Sequence, residues 1–126
     1  MFYRDTRFTK GAIMKLQEIY DLLDAEILAG RDQMHVELTS AFAADTMSDL
    51  LAFGRVGGLL LTRMTSPQVI RTSDILDIAA IIMIRGKIPS KEVIELAEEL
   101  RVPILATRLP QFETAGLLYA KGLRGT

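Results

Sequence analysis

The segment Ala79-Ala-Ile-Ile-Met-Ile84 constrains the fold more than any other in the chain. It is apolar at every position, and a strand with apolar side chains on both faces needs cover on both, as a central parallel strand has between helices. Its surroundings fit that reading. Leu59 to Thr62 is a second apolar strand, and Ser66-Pro67 has the cap-plus-proline pattern that opens a helix running to about Asp77. Pro89-Ser90 precedes Lys91 to Leu100, where Val93, Ile94, Leu96, Ala97 and Leu100 form an inward face and the acids face water. Pro103 to Thr107 reads as a third buried strand. Gln111 to about Lys121 reads as a closing helix with Phe112, Ala115, Leu118 and Tyr119 on its apolar side. Three strand-then-helix units in succession require crossovers, which are right-handed between parallel strands, so the expected fold class is α/β, a three-layer α/β/α sandwich with a mostly parallel sheet.

The first half is less regular. Leu16, Ile19, Tyr20, Leu22 and Leu23 recur at helical spacing and predict a helix over 14–23. Ala25 to Ala29 reads as a strand ended by Gly30, Arg31-Asp32-Gln33 as a turn, and His35 to Phe42 as a second extended stretch. These early strands are expected to extend one edge of the sheet. Capping side chains in Asp45 to Asp49 predict a short helix that ends at Gly54. Residues 1–13 lack periodicity and read as a leader or flexible arm, leaving 14–126 as a single domain. Lys10-Gly11-Ala12 can be encoded with a GGAG ribosome-binding run just before the Met14 codon, so translation beginning at Met14 is one expectation, to be tested on the gene. A natural arm or an expression remnant is the alternative.

Composition excludes several classes of function. With 15 basic and 16 acidic residues the net charge is −1, so no overall positive field draws in nucleic acid. The absence of cysteine removes disulfides, thiolate metal sites and cysteine nucleophiles, and it suits a reducing, cytoplasmic setting. The longest apolar run, Ile78 to Ile84, is far short of the about twenty residues of a membrane span. A single histidine, His35, provides no metal cluster and is expected to be exposed.

Motifs for catalysis are missing. Gly54-Arg-Val-Gly-Gly58 precedes a strand, whereas a phosphate loop follows a strand and opens a helix, so it reads as a helix stop and a tight turn. There is no G-x-x-x-x-G-K-S/T pattern and no G-x-S-x-G elbow. Glu92, Glu95, Glu98 and Glu99 have the spacing of a solvated helix face, and Asp45, Asp49 and Asp74 read as helix caps or surface acids. No catalytic residue, cofactor or metal is expected.

Polar residues at the strand ends are the remaining candidates. In a parallel sheet, ligands bind beyond the carboxyl ends of the strands, toward which helix amino termini also point. Those ends carry Arg63, Thr65 and Ser66 after one strand, Arg85, Gly86 and Lys87 after the next, and Thr107 and Arg108 after the third. Each contributes a cation, which suits a small anionic ligand such as a nucleotide.

The run from Pro67 to Ser90 (Pro-Gln-Val-Ile-Arg-Thr-Ser-Asp-Ile-Leu-Asp-Ile-Ala-Ala-Ile-Ile-Met-Ile-Arg-Gly-Lys-Ile-Pro-Ser) and that from Glu95 to Thr107 resemble the DRTGG domain family. The resemblance covers about residues 14–123, and Met14 to Leu23 is also similar to the opening of the amino-terminal domain of bacterial HPr kinase/phosphorylase, whose fold it implies. Members of the family stand alone or beside CBS or phosphate acetyltransferase domains, where the implied role is regulation or subunit pairing. Of the name-giving residues, Arg71-Thr72 is present, adding both to the candidate ligand contacts. Arg85-Gly86-Lys87 stands where relatives carry Thr-Gly-Gly. The kinase chemistry of HPr kinase belongs to a separate P-loop domain that has no counterpart here. The resulting expectation is a non-catalytic, dimeric regulatory module that senses a nucleotide or other small anion. A purely structural pairing domain is the alternative, and a copy of itself or a signalling protein is the expected protein partner.

Overall fold

The computed structural model describes residues 11–126, so most of the expected leader lies outside the described residues. In chain order the elements are β1 (Met14–Lys15), α1 (Leu16–Leu22), β2 (Glu26–Ala29), β3 (Glu37–Leu38), β4 (Ser40–Ala43), α2 (Met47–Phe53), β5 (Gly58–Thr62), α3 (Pro67–Ile75), β6 (Ala80–Met83), α4 (Lys91–Leu100), β7 (Ile104–Ala106) and α5 (Gln111–Ala120). Five strands form the main sheet in the order β2-β7-β6-β5-β4. The pairs from β4 to β7 are parallel, and β2 is antiparallel to β7.

The apolar run at 79–84 is central, as its composition requires. Alternate side chains of β6 enter opposite cores: Ala80, Ile82 and Ile84 join α1 and α5 residues on one face, while Ile81 and Met83 join α2, α3 and α4 residues on the other. β5 divides likewise, with Leu59 and Leu61 on the first face and Leu60 on the second. The crossovers β4-α2-β5, β5-α3-β6 and β6-α4-β7 step along the sheet in one direction. A uniform right-handed sense then puts their three helices on the same face, where Leu50, Val69, Ile70, Val93 and Ala97 are indeed buried together. Thr46 accepts the Asp49 N–H at the start of α2, and Ser90 accepts the Val93 N–H at the start of α4, each offsetting an unpaired helix-end donor.

Four expectations need correction. The first helix begins at Leu16, not Met14, because Met14 and Lys15 pair antiparallel with Leu38 and Glu37. The first amide donors of α1 are satisfied from that side, by the carbonyls of Val36 and Met34. The stretch from His35 to Phe42 is therefore not one strand: Glu37 and Leu38 belong to this small ribbon, while β4 joins the main sheet. The early strands also cap opposite edges instead of extending one, with β2 beside β7 and β4 beside β5. Finally, α5 docks through Thr114 and Leu118, which leaves Phe112 83% exposed and Ala115 and Tyr119 in contact with solvent. Its sequence stripe and its docking face differ by part of a turn.

Candidate functional site

The carboxyl ends of β6 and β7, together with the start of β2, enclose an open cleft of about 980 Å3. Its walls include Leu22 to Glu26 from the end of α1 into β2, Arg85, Gly86 and Ile88 after β6, and Ala106 to Leu109 after β7. Backbone geometry explains why Arg85 stands at its rim. Residues 84–87 form a tight turn in which the Lys87 N–H donates to the Ile84 carbonyl at 3.1 Å. Both central residues are left-handed, Arg85 at φ 54° and Gly86 at φ 68°, the type I′ pattern. Glycine adopts this conformation freely, but for arginine it costs roughly 1–2 kcal/mol. Two cross-links hold the turn there: the Arg85 N–H donates to the Leu109 carbonyl at 3.0 Å and the Gly86 N–H to the Thr107 carbonyl at 2.8 Å.

Thr107 organises the floor. Its side chain is buried, and its hydroxyl donates to the Leu23 carbonyl at 3.0 Å while accepting the Leu109 N–H at 3.3 Å. Its own N–H reaches the Met83 carbonyl at 2.9 Å. One residue thus joins the end of α1, the end of β6 and the loop into α5. The Thr107 hydroxyl is committed to the protein, so its part in the cleft is to position the walls.

Arg85 and Arg108 are exposed, and among the described residues neither side chain has an ion-pair or hydrogen-bond partner. Composition alone did not mark the other charges in the cleft, Asp24 and Glu26, which are likewise exposed and unpaired. The expectation that the early strands extend one edge of the sheet does not fix where β2 pairs; its antiparallel pairing with β7 brings its amino end to the carboxyl edge. Asp24 shares the left-handed conformation, at φ 49°.

The remaining sequence candidates lie elsewhere. Arg63, Thr65 and Ser66 follow β5, outside the cleft lining. There Asp45 is neither a cap nor an idle surface acid: its Oδ1 accepts the Arg63 N–H at 2.8 Å and the Thr62 hydroxyl at 3.4 Å, clamping the ends of β4 and β5 together. Lys87 is exposed on the turn but does not line the cleft. Arg71 sits on α3 beside a shallow groove shared with Glu92, Glu95 and Glu99 of α4, and Thr72 is half-buried next to it. Of the ten candidates, Arg85, Gly86, Thr107 and Arg108 converge and the others do not. Glu98 also departs from the solvated-face reading, because its carboxylate accepts the Gly30 N–H and ties α4 to the end of β2. His35 is exposed, as expected. Among the described residues, no group of three or more His, Cys, Asp or Glu could hold a metal, and no helix is long and apolar enough to cross a membrane.

Among solved structures, the chain is similar to the crystal structure of the CBS and DRTGG domains of the regulatory region of Clostridium perfringens pyrophosphatase, complexed with its activator, diadenosine tetraphosphate. The TM-score is 0.70 at 22% sequence identity, over 86% of this chain and 47% of that one. This is a likeness of fold, and the chain spans about half the length of that protein's solved region. No curated protein matches. The model of the DRTGG domain matches residues 18–120, most of the chain, and on that match the chain belongs to the DRTGG domain family.

Proposed function

We propose that this domain is a non-catalytic regulatory module that senses a small anionic ligand, a nucleotide or phosphorylated metabolite, in the cleft between the ends of β6 and β7. The observation that carries the reading is a pair of guanidinium groups, Arg85 and Arg108, without partners among the described residues, at the carboxyl edge of a mostly parallel sheet. Arginine's planar fork suits phosphate oxygens, and the strained backbone at Arg85 is the kind of cost found at binding sites. The fold-level likeness to a regulatory region solved with a dinucleotide activator adds support by analogy. The absence of cysteine favours a reducing cytoplasmic setting. Calorimetric titration with nucleotides and inorganic phosphates tests the reading: wild-type protein binds at least one of them, and Arg85→Ala with Arg108→Ala abolishes it. Binding that survives both substitutions would place the ligand elsewhere.

The same module is read as a homodimer, with a signalling protein as the alternative partner. Leu51, Phe53, Val56 and Ile75 are exposed at or just beyond the carboxyl ends of α2 and α3, and the segments that follow these helices approach each other, with Gly54 beside Leu76 and the Gly57 N–H donating to the Asp77 carbonyl. Exposed apolar clusters of this kind favour association. Light scattering at micromolar concentration should give twice the chain mass for the wild type and the monomer mass for Phe53→Glu. A wild-type monomer would rule out self-pairing.

A further inference from the structure

The cleft has a feature that a site for a bare phosphate lacks. The strand order β2-β7-β6 sets Asp24 and Glu26 on one flank, Arg108 at the middle strand and Arg85 on the other flank. Neighbouring strands lie about 4.8 Å apart, so the acidic and basic flanks are separated by roughly 10 Å, two strand spacings. None of the four side chains has an ion-pair or hydrogen-bond partner among the described residues. The acids are therefore not there to neutralise the arginines directly. Against a compact anion such as pyrophosphate, the two carboxylates oppose the two guanidinium groups, leaving little net attraction. A ligand that is anionic at one end and rich in hydrogen-bond donors at the other uses both flanks, because an ionised carboxylate only accepts hydrogen bonds. A zwitterionic amino acid has that polarity but is small for a cleft of about 980 Å3, at the upper end of the range of about 300–1,000 Å3 for small-molecule sites.

We propose that the ligand is a nucleoside phosphate, held with its phosphate on Arg85 and Arg108 and its ribose hydroxyls donating to Asp24 and Glu26. This rests on the reading of the cleft as the ligand site and adds the ligand's class and direction. Glu26 is on an edge strand and Asp24 in the turn before it, so the carboxylates of both can be changed to amides without touching the core. Asn also tolerates the left-handed backbone at position 24.

The test is calorimetric titration of the full chain with AMP, its 2′,3′-dideoxy analogue and inorganic pyrophosphate, repeated on the Asp24→Asn/Glu26→Gln variant after its melting temperature shows that it is folded. Loss of the hydroxyls should weaken binding to the wild type by about tenfold or more, the value of a charged hydrogen bond. In the variant this penalty should shrink to within about threefold, and pyrophosphate should bind more tightly than it does to the wild type. Equal binding of AMP and its dideoxy analogue to the wild type overturns the assignment, as does an unchanged penalty in the variant. If the wild type binds pyrophosphate but not AMP, the anion site stands and the nucleoside assignment falls. If it binds none of the three, both fall.

Discussion

Replacing Thr107 by valine removes one oxygen and keeps the branched shape, so it isolates what the hydroxyl does at the base of the cleft. Two hydrogen bonds are lost: the 3.0 Å donation to the Leu23 carbonyl and the 3.3 Å acceptance from the Leu109 N–H. Each contributes about 1 kcal/mol, and a buried partner left unsatisfied costs about 1–3 kcal/mol. Leu23 is buried and Leu109 half-buried, so water replaces the lost partners poorly. The expected loss is about 2–4 kcal/mol. For a chain of this size 1 kcal/mol corresponds to about 4 °C, so the melting temperature should fall by about 8–16 °C. Urea denaturation and calorimetry measure both quantities. Thr107→Ser keeps the hydroxyl and gives up one methyl, worth about 0.8 kcal/mol, so serine should recover most of the loss. Hydrogen exchange adds a local readout, because the Leu109 amide loses its acceptor in the valine variant and should exchange faster. A valine variant within about 0.5 kcal/mol of the wild type, or a serine variant no better than valine, would refute the view that this hydroxyl joins the end of α1 to the loop into α5.

Other substitutions give distinct outcomes. Ser73 and Thr114 are fully buried with hydroxyls that have no hydrogen-bond partner among the described residues, so Ser73→Ala and Thr114→Val should be neutral or stabilising by up to about 1 kcal/mol in urea denaturation. Gly30→Ala places a Cβ 2.9 Å from Pro103 at φ 84°, whereas Gly86→Ala meets nothing within 4 Å at φ 68°. Calorimetry should therefore find the first the more destabilising, with the second near the backbone cost of about 1–2 kcal/mol. Ile82→Ala in the central strand, fully buried between α1, α5 and the sheet, should lose about 2–5 kcal/mol.

The double-sided apolar run at 79–84, the cap signals at Ser66-Pro67 and Ser90, and the regular spacing of strands and helices were enough to predict the parallel α/β core, because each is a local pattern that a single element satisfies. The cations at Arg85 and Arg108 were legible for the same reason: a residue that follows a parallel strand must emerge at the sheet's carboxyl edge. Tertiary structure alone decided where the irregular first half went. Met14 and Lys15 follow a helical pattern yet pair with Leu38 and Glu37, since a short segment takes whichever partner satisfies its backbone. The antiparallel entry of β2 beside β7 is a long-range pairing that leaves no mark in the local sequence. That pairing turns the cleft from a purely basic edge into one with Asp24 and Glu26 on its flank. It also gives Thr107 the Leu23 carbonyl as its partner. Arg63, Arg71 and Lys87 stay outside the cleft for local reasons that strand order does not reveal, since Arg63 follows β5 beyond the lining, Arg71 is carried by α3 and Lys87 closes the turn that Arg85 opens.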